Sequence, residues 1–342
     1  MAKYQLKGHK EQMGIKVEQH TGVVRGRGGF RESGWEKRLL VGDRATLARA
    51  ISLLENGAPE TRQVLRAIYP HTGRARVVGF TGAPGVGKST LVGAFVAEMR
   101  GRGNTVAVVA VDPSSPISGG AILGDRIRMG AHGSDPGVFV RSLANRGHGG
   151  GLTSMTAHVV DLLDAAGFDA VVVETVGAGQ SEVEIAEIAQ TSVVVVAPGL
   201  GDEIQAHKAG ILEIADILVV NKGDLPLAET ALRQMRESLS LHRASGWQVP
   251  VLMTTAMEGK GLDELADAVE RHAEFLRGRQ GESGALDRMA RLLARTAGRL
   301  AARRVQAMPR ERLAPLLEQV LTGDMDVETA ASAALADQED LP

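Results

Sequence analysis

The stretch at residues 82–90, GAPGVGKST, has the residue types and spacing of a loop that binds phosphate. It fits G-x-x-x-x-G-K-[ST] at each fixed position, with Gly82, Gly87, Lys88 and Ser89. Glycines let the main chain curl tightly enough for several N–H groups to converge on a polyphosphate. The lysine supplies positive charge to the β- and γ-phosphates, and the hydroxyl is a ligand for Mg²⁺. The predicted phosphate-binding residues are Gly82, Ala83, Pro84, Gly85, Val86, Gly87, Lys88, Ser89 and Thr90.

The flanks of this loop predict a strand before it and a helix after it. Residues 77–80 are a short apolar run, and residues 91–100 have a helical pattern. Strand, loop and helix are the context that the motif requires, and the helix N-terminus adds a dipole that favours an anion. A chance glycine turn before a helix is the alternative, and these flanks disfavour it.

A second pattern, N-K-x-D, follows the apolar run at residues 217–220. Guanine presents an N1–H beside a 2-amino group, and one carboxylate can accept both hydrogen bonds. Adenine has no such edge, so Asp224 favours GTP over ATP. Asn221 is expected to hold neighbouring loops, and the stem of Lys222 to cover the base. After a last apolar run a backbone N–H could meet the guanine oxygen. The predicted base-binding residues are Asn221, Lys222, Asp224, Thr255, Ala256 and Met257.

Acidic residues near the ends of apolar runs are candidates for binding Mg²⁺ or ordering the attacking water. Asp112 follows residues 105–111, and Glu174 follows residues 170–173. The carboxyl ends of parallel strands face the ligand crevice, and Glu174 has the position of the acid that binds Mg²⁺ through a water in P-loop proteins. For Asp112 the alternative is a loop residue that starts a turn. Asp125 lies in the first turn of a helical pattern, where an acid complements the helix dipole, which alone would explain it.

Apolar runs that alternate with helical patterns predict an α/β fold: a P-loop NTPase with a mostly parallel sheet flanked by helices. Residues 37–69 predict two helices separated near Gly57, and a helical extension follows the region of the sheet. The predicted divisions are a mobile basic arm at residues 1–36, N-terminal helices at 37–72, a P-loop GTPase domain at 73–278 and a C-terminal helical region at 285–338.

The C-terminal region contains an apolar stripe at helical spacing. Leu286, Met289, Leu293, Ala297 and Leu300 recur along one side of a helix whose other side is rich in arginine. Such a stripe is either a packing face against the body of the protein or a seam for self-association, and a coiled coil would require more heptads.

The composition argues against several other classes of function. The 342 residues have a net charge of -2, so no general attraction to nucleic acid or an anionic membrane is expected. The absence of cysteine excludes disulfides and thiolate metal sites, and it fits a reducing compartment. No apolar run approaches the roughly 18 residues of a membrane span, and no signal-peptide core precedes the fold. A cytoplasmic protein with neither nucleic acid nor membrane as a partner is therefore expected.

Several blocks of the sequence, taken in order and spacing, resemble the MeaB/ArgK family. The similarity covers residues 37–274, and the longest block, at residues 118–129, is specific to that family. The blocks are VDPSSP at 111–116, SGGAILGDRIRM at 118–129, RGHGGGL at 146–152, VVVETVGAGQSE at 171–182 and NKGD at 221–224.

The resemblance implies a homodimeric G protein of the signal-recognition-particle/MinD class. It implies a chaperone of an adenosylcobalamin-dependent acyl-CoA mutase, of the methylmalonyl-CoA mutase type, that uses GTP to gate cofactor loading and protects the mutase from inactivation. It further implies that Asp112, Asp125 and Glu174 join Ser89 at the Mg²⁺ and hydrolysis site, with Lys88 on the phosphates. Among these, Asp112 and Asp125 gain a role that their local sequence alone did not require.

Together these patterns predict Mg²⁺-dependent GTP hydrolysis by positioning and charge neutralisation, with slow intrinsic turnover. Loops at Asp112, Gly177 and Gly199 are expected to order around the γ-phosphate, and the resemblance implies that residues 199–208 are a switch facing the mutase. Gln180 lacks the spacing of a water-orienting glutamine. Three alternatives stay open: a metallochaperone GTPase, disfavoured by the absent cysteines; a protein kinase linked to amino-acid transport; and a non-catalytic scaffold gated by GTP.

Overall fold

The computed structural model describes residues 34–113, 133–145, 151–175, 181–199, 212–240, 246–279 and 283–336. By its internal contacts the chain separates into Met1–Trp35 and Glu36–Pro342, and the second unit carries the fold. The predicted basic arm lies almost wholly outside the described residues, so it stays a prediction.

A seven-stranded parallel sheet forms the centre of this unit. The strands are β1 (Arg76–Thr81), β2 (Val106–Pro113), β3 (Val138–Asn145), β4 (Ala170–Thr175), β5 (Thr191–Val196), β6 (Ile217–Val220) and β7 (Val251–Met253). Their order in the sheet is β3-β2-β4-β1-β5-β6-β7. The valine-rich central strands are buried on both faces, which is why their sequences are nearly continuous apolar runs. The predicted α/β fold is confirmed, and all strands end at the same edge.

Helices cover both faces of the sheet. They are α1 (Trp35–Leu40), α2 (Arg44–Asn56), α3 (Thr61–Ile68), α4 (Lys88–Gly101), α5 (Gly151–Ala165), α6 (Ser181–Ile188), α7 (Ala228–Ser240), α8 (Leu262–Arg279), α9 (Ser283–Gln306), α10 (Arg310–Thr322) and α11 (Val327–Ala336). Helices α4 and α8 share a core with Val78 and Phe80 of β1. Gly79, which lies between them in β1, faces the opposite side of the sheet, where Ile185 of α6 packs closely against it. Among the described helices, none combines the length and apolar character that crossing a membrane requires.

The region before β1 contains three short α-helices rather than the two that were predicted. The additional break falls at Gly42, whose φ of 75° no helix can continue through. Asp43 then caps α2, because its carboxylate accepts the Thr46 N–H at 2.9 Å. Gly57 ends α2 at the predicted position with a left-handed φ of 59°. Helices α2 and α3 pack against α5.

The boundary between the predicted GTPase domain, which ends at residue 278, and the predicted C-terminal region, which starts at residue 285, has helix on both sides. Helix α8 continues to Arg279 and α9 begins at Ser283, so only residues 280–282 separate them, and these lie outside the described residues. On α9, Leu293 is 67% exposed and Leu300 is 55% exposed. At these two positions the apolar stripe does not pack against the body of this chain.

Asp164 of α5 anchors the segment that leads into β1. Its buried carboxylate accepts the N–H of Gly73, that of Arg74 at 3.0 Å and that of Ala75 at 2.8 Å. Hydrogen bonds to an ionised carboxylate are stronger than those between neutral groups. The carboxylate therefore fixes the main chain immediately before the strand that carries the glycine loop.

A polar pair, with one buried and one partly buried member, lies at the opposite, amino edge of the sheet. His272 of α8 has Nδ1 at 2.9 Å from the Thr191 hydroxyl and Nε2 at 3.4 Å from the Asp216 carboxylate. Asp216 also accepts the Ser192 N–H at 2.8 Å, and the Trp247 ring packs on His272. Burial raises the pKa of Asp216 to about 6 and lowers the pKa of His272 to about 4. As the pH falls, the folded state is therefore favoured by Asp216 and disfavoured by His272.

Candidate nucleotide-binding site

The glycine loop joins β1 to α4 and lies against the ends of two other strands. Gly82 has a φ of 144°, and a Cβ there would lie 2.1 Å from the Val195 carbonyl oxygen of β5. Gly87 has a φ of 93°, and a Cβ there would lie 2.6 Å from Nδ2 of Asn221. Any other residue at these two positions would push the loop away from β5 and β6.

Lys88 begins α4 and is buried, with only 8% of its surface exposed. Its ammonium donates to the Gly82 carbonyl at 2.6 Å and to the Ala83 carbonyl at 3.0 Å. The positive charge thus lies against the main chain of the loop at the helix N-terminus, where an anion is favoured by both the cation and the helix dipole.

Ser89 and Glu174 meet at the carboxyl edge of the sheet. The Ser89 hydroxyl donates to Oε1 of Glu174 at 2.5 Å. Glu174 is fully buried, and its backbone pairs with Phe80 of β1 and Ala110 of β2. A hydroxyl and a carboxylate are oxygen ligands of the kind Mg²⁺ takes, usually with several waters retained. These two residues fit an Mg²⁺ site beside the glycine loop.

The backbone of Asp112 lies at the same carboxyl edge of the sheet. It lies two residues beyond Ala110, which pairs with Glu174, and its own partner is Ala144 of β3. The side chain of Asp112 and the whole of Asp125 lie outside the described residues. Their roles at the Mg²⁺ site therefore stay predictions.

Several segments with predicted roles also fall outside the described residues. Each follows one of the strands β2 to β5 along the chain. Gly177 and Gln180 lie in one of them, and the predicted switch from residue 200 onward lies in another. These segments are residues 114–132, 146–150, 176–180 and 200–211.

Asn221, at the end of β6, joins the glycine loop to the loop after β7. It is 2% exposed, and its Nδ2 donates to the Val86 carbonyl at 3.0 Å. Its Oδ1 accepts the Thr254 hydroxyl at 3.0 Å and the Ala256 N–H at 3.4 Å. The amide therefore uses its donor and its acceptor in opposite directions and holds both loops together.

Lys222 and Asp224 complete the N-K-x-D motif at the rim of the site. Lys222 has a left-handed φ of 60°, and its ammonium donates to the Gly85 carbonyl at 2.7 Å. The Gly223 N–H donates to the Thr254 carbonyl at 2.9 Å. Asp224 follows this turn and is exposed, so its carboxylate is accessible to a base.

Sequence reasoning missed two residues around the base motif. Thr254 is 1% exposed and positions the Asn221 amide; its signal was a threonine at the end of β7. Lys260 pairs with Thr255 in an antiparallel bridge, and its ammonium lies 2.7 Å from Glu258. The hydrogen bond and charge of Glu258, and more weakly the charge of Asp224, raise the pKa of Lys260. Nothing in the sequence indicated that Lys260 lies close to the base motif.

Met257 lies in the short 3-10 helix Ala256–Glu258, which packs against α4. Its side chain is 86% exposed. Of the predicted base-binding residues, Ala256 contacts the Asn221 amide through its N–H, and Thr255 is buried. Met257 therefore stands on the solvent side of the loop that contacts Asn221.

A parallel sheet with a glycine loop between β1 and α4, and with N-K-x-D after β6 at the same edge, defines a P-loop GTPase. Residues 47–309 match the family described as "Methylmalonyl Co-A mutase-associated GTPase MeaB". The chain belongs to this family, as the resemblance in the sequence predicted.

Curated relatives match over most of the chain. A Pyrococcus horikoshii protein is 43% identical over 308 residues, which cover 87% of this chain and 96% of that one. The Escherichia coli "GTPase ArgK" is 42% identical over 243 residues, covering 68% of this chain and 73% of that one. The Caenorhabditis elegans "Methylmalonic aciduria type A homolog, mitochondrial" is 35% identical over 272 residues, covering 74% of this chain and 67% of that one.

A solved structure has the same architecture. It is described as "Crystal structure of LAO/AO transport system kinase" and superimposes with a TM-score of 0.66 at 28% sequence identity. The match covers 88% of this chain and 95% of that chain. The similarity extends well beyond the sheet and the glycine loop.

Proposed function

We propose that this GTPase is a chaperone of an adenosylcobalamin-dependent acyl-CoA mutase of the methylmalonyl-CoA mutase type. It gates loading of the cobalamin cofactor and protects the mutase from inactivation. The family description, which names association with methylmalonyl-CoA mutase, supports this role. The name of the Caenorhabditis elegans relative, which refers to methylmalonic aciduria, agrees with it.

The observation that carries the nucleotide assignment is the pair of hydrogen bonds from the base motif to the glycine loop. Asn221 donates to Val86, and Lys222 donates to Gly85. One ligand that bears a guanine at one end and a polyphosphate at the other matches two motifs held together in this way. We assign the guanine N1–H and 2-amino group to Asp224.

The catalytic roles follow from the charges at the carboxyl edge. Lys88 balances the charge of the β- and γ-phosphates, which the main chain of the glycine loop also binds. Mg²⁺, when bound, neutralises phosphate oxygens during transfer to water. Ser89 and Glu174 would hold it, and we include Asp112 and Asp125 in the same group.

The base side of the site uses the loop after β7. The Thr255 N–H already donates to the Lys260 carbonyl at 3.1 Å, so the N–H groups of Ala256 and Met257 are the candidates for the guanine oxygen. The stem of Lys222 is the candidate for one face of the base. The ammonium of Lys222 is held at Gly85, so its four-carbon stem spans the distance between the two motifs.

We include self-association in the proposal. The exposed leucines on α9 and α10 form apolar surface that the described part of this chain leaves in solvent, and a second copy would cover it. The family resemblance implies a homodimer. The exposed leucines are Leu293, Leu300, Leu317 and Leu321.

The test is GTP hydrolysis by the purified chain, with ATP as the nucleotide control, in the presence and absence of a cobalamin-dependent acyl-CoA mutase. GTP-selective turnover that accelerates when the mutase is added is the expected result. Lys88→Ala is the control variant, and it should abolish turnover with and without the mutase. Turnover that the mutase leaves unchanged would contradict the chaperone role while leaving the GTPase intact.

The matched crystal structure is described as that of a transport system kinase, which supports a second candidate, a kinase that transfers phosphate to a protein. The same assay distinguishes it if the GTP carries a labelled γ-phosphate. Label recovered as inorganic phosphate supports hydrolysis, whereas label recovered on a protein supports the kinase.

A further inference from the structure

Met257 combines an exposed thioether with a position beside the base motif. It follows Ala256, whose N–H lies 3.4 Å from Oδ1 of Asn221. Its side chain is 86% exposed, although methionine is usually buried. An apolar side chain next to a base-binding loop can pack on the flat face of a base, and sulfur makes favourable contacts with aromatic rings.

The other methionines whose side chains the structure describes are less exposed than Met257. The chain has 11 methionines and no cysteine, so thioethers are its only sulfur groups. Met99 is 3% exposed and Met235 is 2% exposed, and Met253 is half-buried beneath Gly223. Among the methionines whose side chains the structure describes, Met257 alone is exposed. Oxidation of methionine follows exposure, so Met257 is the first of these to react.

We propose that the Met257 thioether covers one face of the bound guanine, and that its oxidation to the sulfoxide by hydrogen peroxide weakens guanine-nucleotide binding. This inference rests on the proposed assignment of guanine to Asp224. It adds a modification site and a form of regulation that GTP hydrolysis itself does not require.

The chemical step is a two-electron oxidation of the sulfur. A sulfur lone pair attacks one peroxide oxygen, the S–O bond forms and the O–O bond breaks. The second oxygen leaves as hydroxide and takes the proton of the hydroxyl now bound to sulfur, so thioether and hydrogen peroxide give sulfoxide and water. The sulfur is oxidised and the peroxide is reduced. Methionine sulfoxide reductases reverse the change.

The sulfoxide is polar and strongly hydrated, so packing it on the base requires removing water from the S–O group. The sulfur–aromatic contact is lost at the same time. Contacts of this kind correspond to about a two- to tenfold change in affinity. The Kd for GDP should therefore increase about two- to tenfold after oxidation of Met257.

The experiment measures GDP binding to the full chain by calorimetry before and after treatment with hydrogen peroxide, which is removed before titration. Peptide mass spectrometry reports the fraction of Met257 that carries one added oxygen. Wild type should show the two- to tenfold increase in Kd, and treatment with methionine sulfoxide reductase should restore the original value.

Two variants identify the sulfur that is responsible. In Met257→Leu, which keeps an apolar side chain without a thioether, peroxide should not change the Kd. In Met253→Leu, which removes the half-buried sulfur next to Gly223 of the base motif, the response to peroxide should persist. The comparison is always between the treated and untreated forms of one variant.

Complete oxidation of Met257 with no change in Kd would overturn the inference. So would a Met257→Leu variant that responds to peroxide as wild type does, or a Met253→Leu variant that no longer responds. Failure of the untreated chain to bind GDP is a different result. It would overturn the guanine assignment itself, and the inference about Met257 with it.

Discussion

The ammonium of Lys222 donates a hydrogen bond to the Gly85 carbonyl at 2.7 Å, across 137 positions in sequence. Lys222 belongs to the base motif and Gly85 to the glycine loop. Asn221 makes a second contact of the same kind, with the Val86 carbonyl. The two nucleotide motifs therefore form one hydrogen-bonded unit, in which displacement of either loop disturbs the other.

Replacing Lys222 tests this unit directly. Lys222→Met keeps most of the stem and removes the donor, so GDP affinity should fall about fivefold, as for the loss of about 1 kcal/mol from one hydrogen bond. Calorimetric titration with GDP measures it. Lys260→Met is the matched control, because Lys260 pairs with Glu258 and not with the glycine loop. Equal losses in both variants would contradict a specific role for the contact with Gly85.

Glu174 is expected to matter for hydrolysis more than for folding. Glu174→Gln keeps the shape of the side chain and removes the negative charge beside Ser89, so kcat should fall about 100-fold and the half-saturating Mg²⁺ concentration should rise. Steady-state hydrolysis across an Mg²⁺ titration measures both. Asp216→Asn, at the opposite edge of the sheet, should keep wild-type turnover at neutral pH. Wild-type kcat in Glu174→Gln would remove this carboxylate from the mechanism.

Asp224 should set the preference for guanine. Asp224→Asn replaces an acceptor by a donor, which suits the 2-oxo group of xanthine better than the 2-amino group of guanine. GTP affinity should fall about 10- to 100-fold while affinity for xanthosine triphosphate rises. Competition binding gives the ratio of the two. The control is Glu258→Gln, which changes a carboxylate on the neighbouring loop and should leave the ratio as it is.

The contributions of Asp216 and His272 to the pH dependence of stability should have opposite signs and partly cancel. In the folded chain the pair binds protons with pKa values of about 6 and about 4, against ordinary values of 6.5 for histidine and 3.8 for aspartate. The raised pKa of Asp216 favours the folded state as pH falls, and the lowered pKa of His272 disfavours it. The two contributions therefore partly cancel, and that of His272 is the larger because its side chain is the more buried.

Replacing one residue of the pair should reveal how the other makes stability depend on pH. In Asp216→Asn, the free energy of unfolding should fall by up to about 3 kcal/mol as pH decreases from about 6.5 to about 4, because only the unfolded His272 binds a proton there. In His272→Gln, stability should instead rise as pH decreases from about 6 to about 4. The rise should be smaller, because 33% of the Asp216 side chain is exposed. Urea unfolding across this pH range measures the free energy of unfolding of both variants. If it changed with pH in the same direction in both, the two residues would not have opposite effects on stability.

The exposed leucines of α9 should support self-association. Leu293→Glu combined with Leu300→Glu places charges on the apolar stripe, so the mass in solution should shift from dimer to monomer. Light scattering after size-exclusion chromatography measures it. Val41→Glu is the control, since Val41 is 80% exposed but lies between α1 and α2. A double variant that stays dimeric would place the interface elsewhere.

The strands could be predicted from sequence because the sheet is parallel and buried on both faces. Continuous apolar runs then mark each strand, and the residue after each run falls at the ligand edge. Glu174 was recognised in this way. The break at Gly42 and Asp43 was missed, because the apolar spacing continues through it and only the left-handed φ shows the end of α1.

Contacts distant in sequence account for what sequence could not supply. The hydrogen bond of Lys222 to Gly85 depends on how β6 and β1 are placed on either side of β5. The proximity of Lys260 to Asp224 depends on an antiparallel bridge to Thr255. No local pattern encodes either contact, because the partners meet only once the sheet has formed.

Asp164 has a consequence for how the chain opens. Its carboxylate binds the three consecutive N–H groups before β1, so the N-terminal helices can fray without loosening the strand. In amide exchange, α3 and β1 should therefore belong to different cooperative units, with Gly73 to Ala75 protected together with α5. The anchor separates a local opening at one end of the chain from the main chain that holds the phosphates.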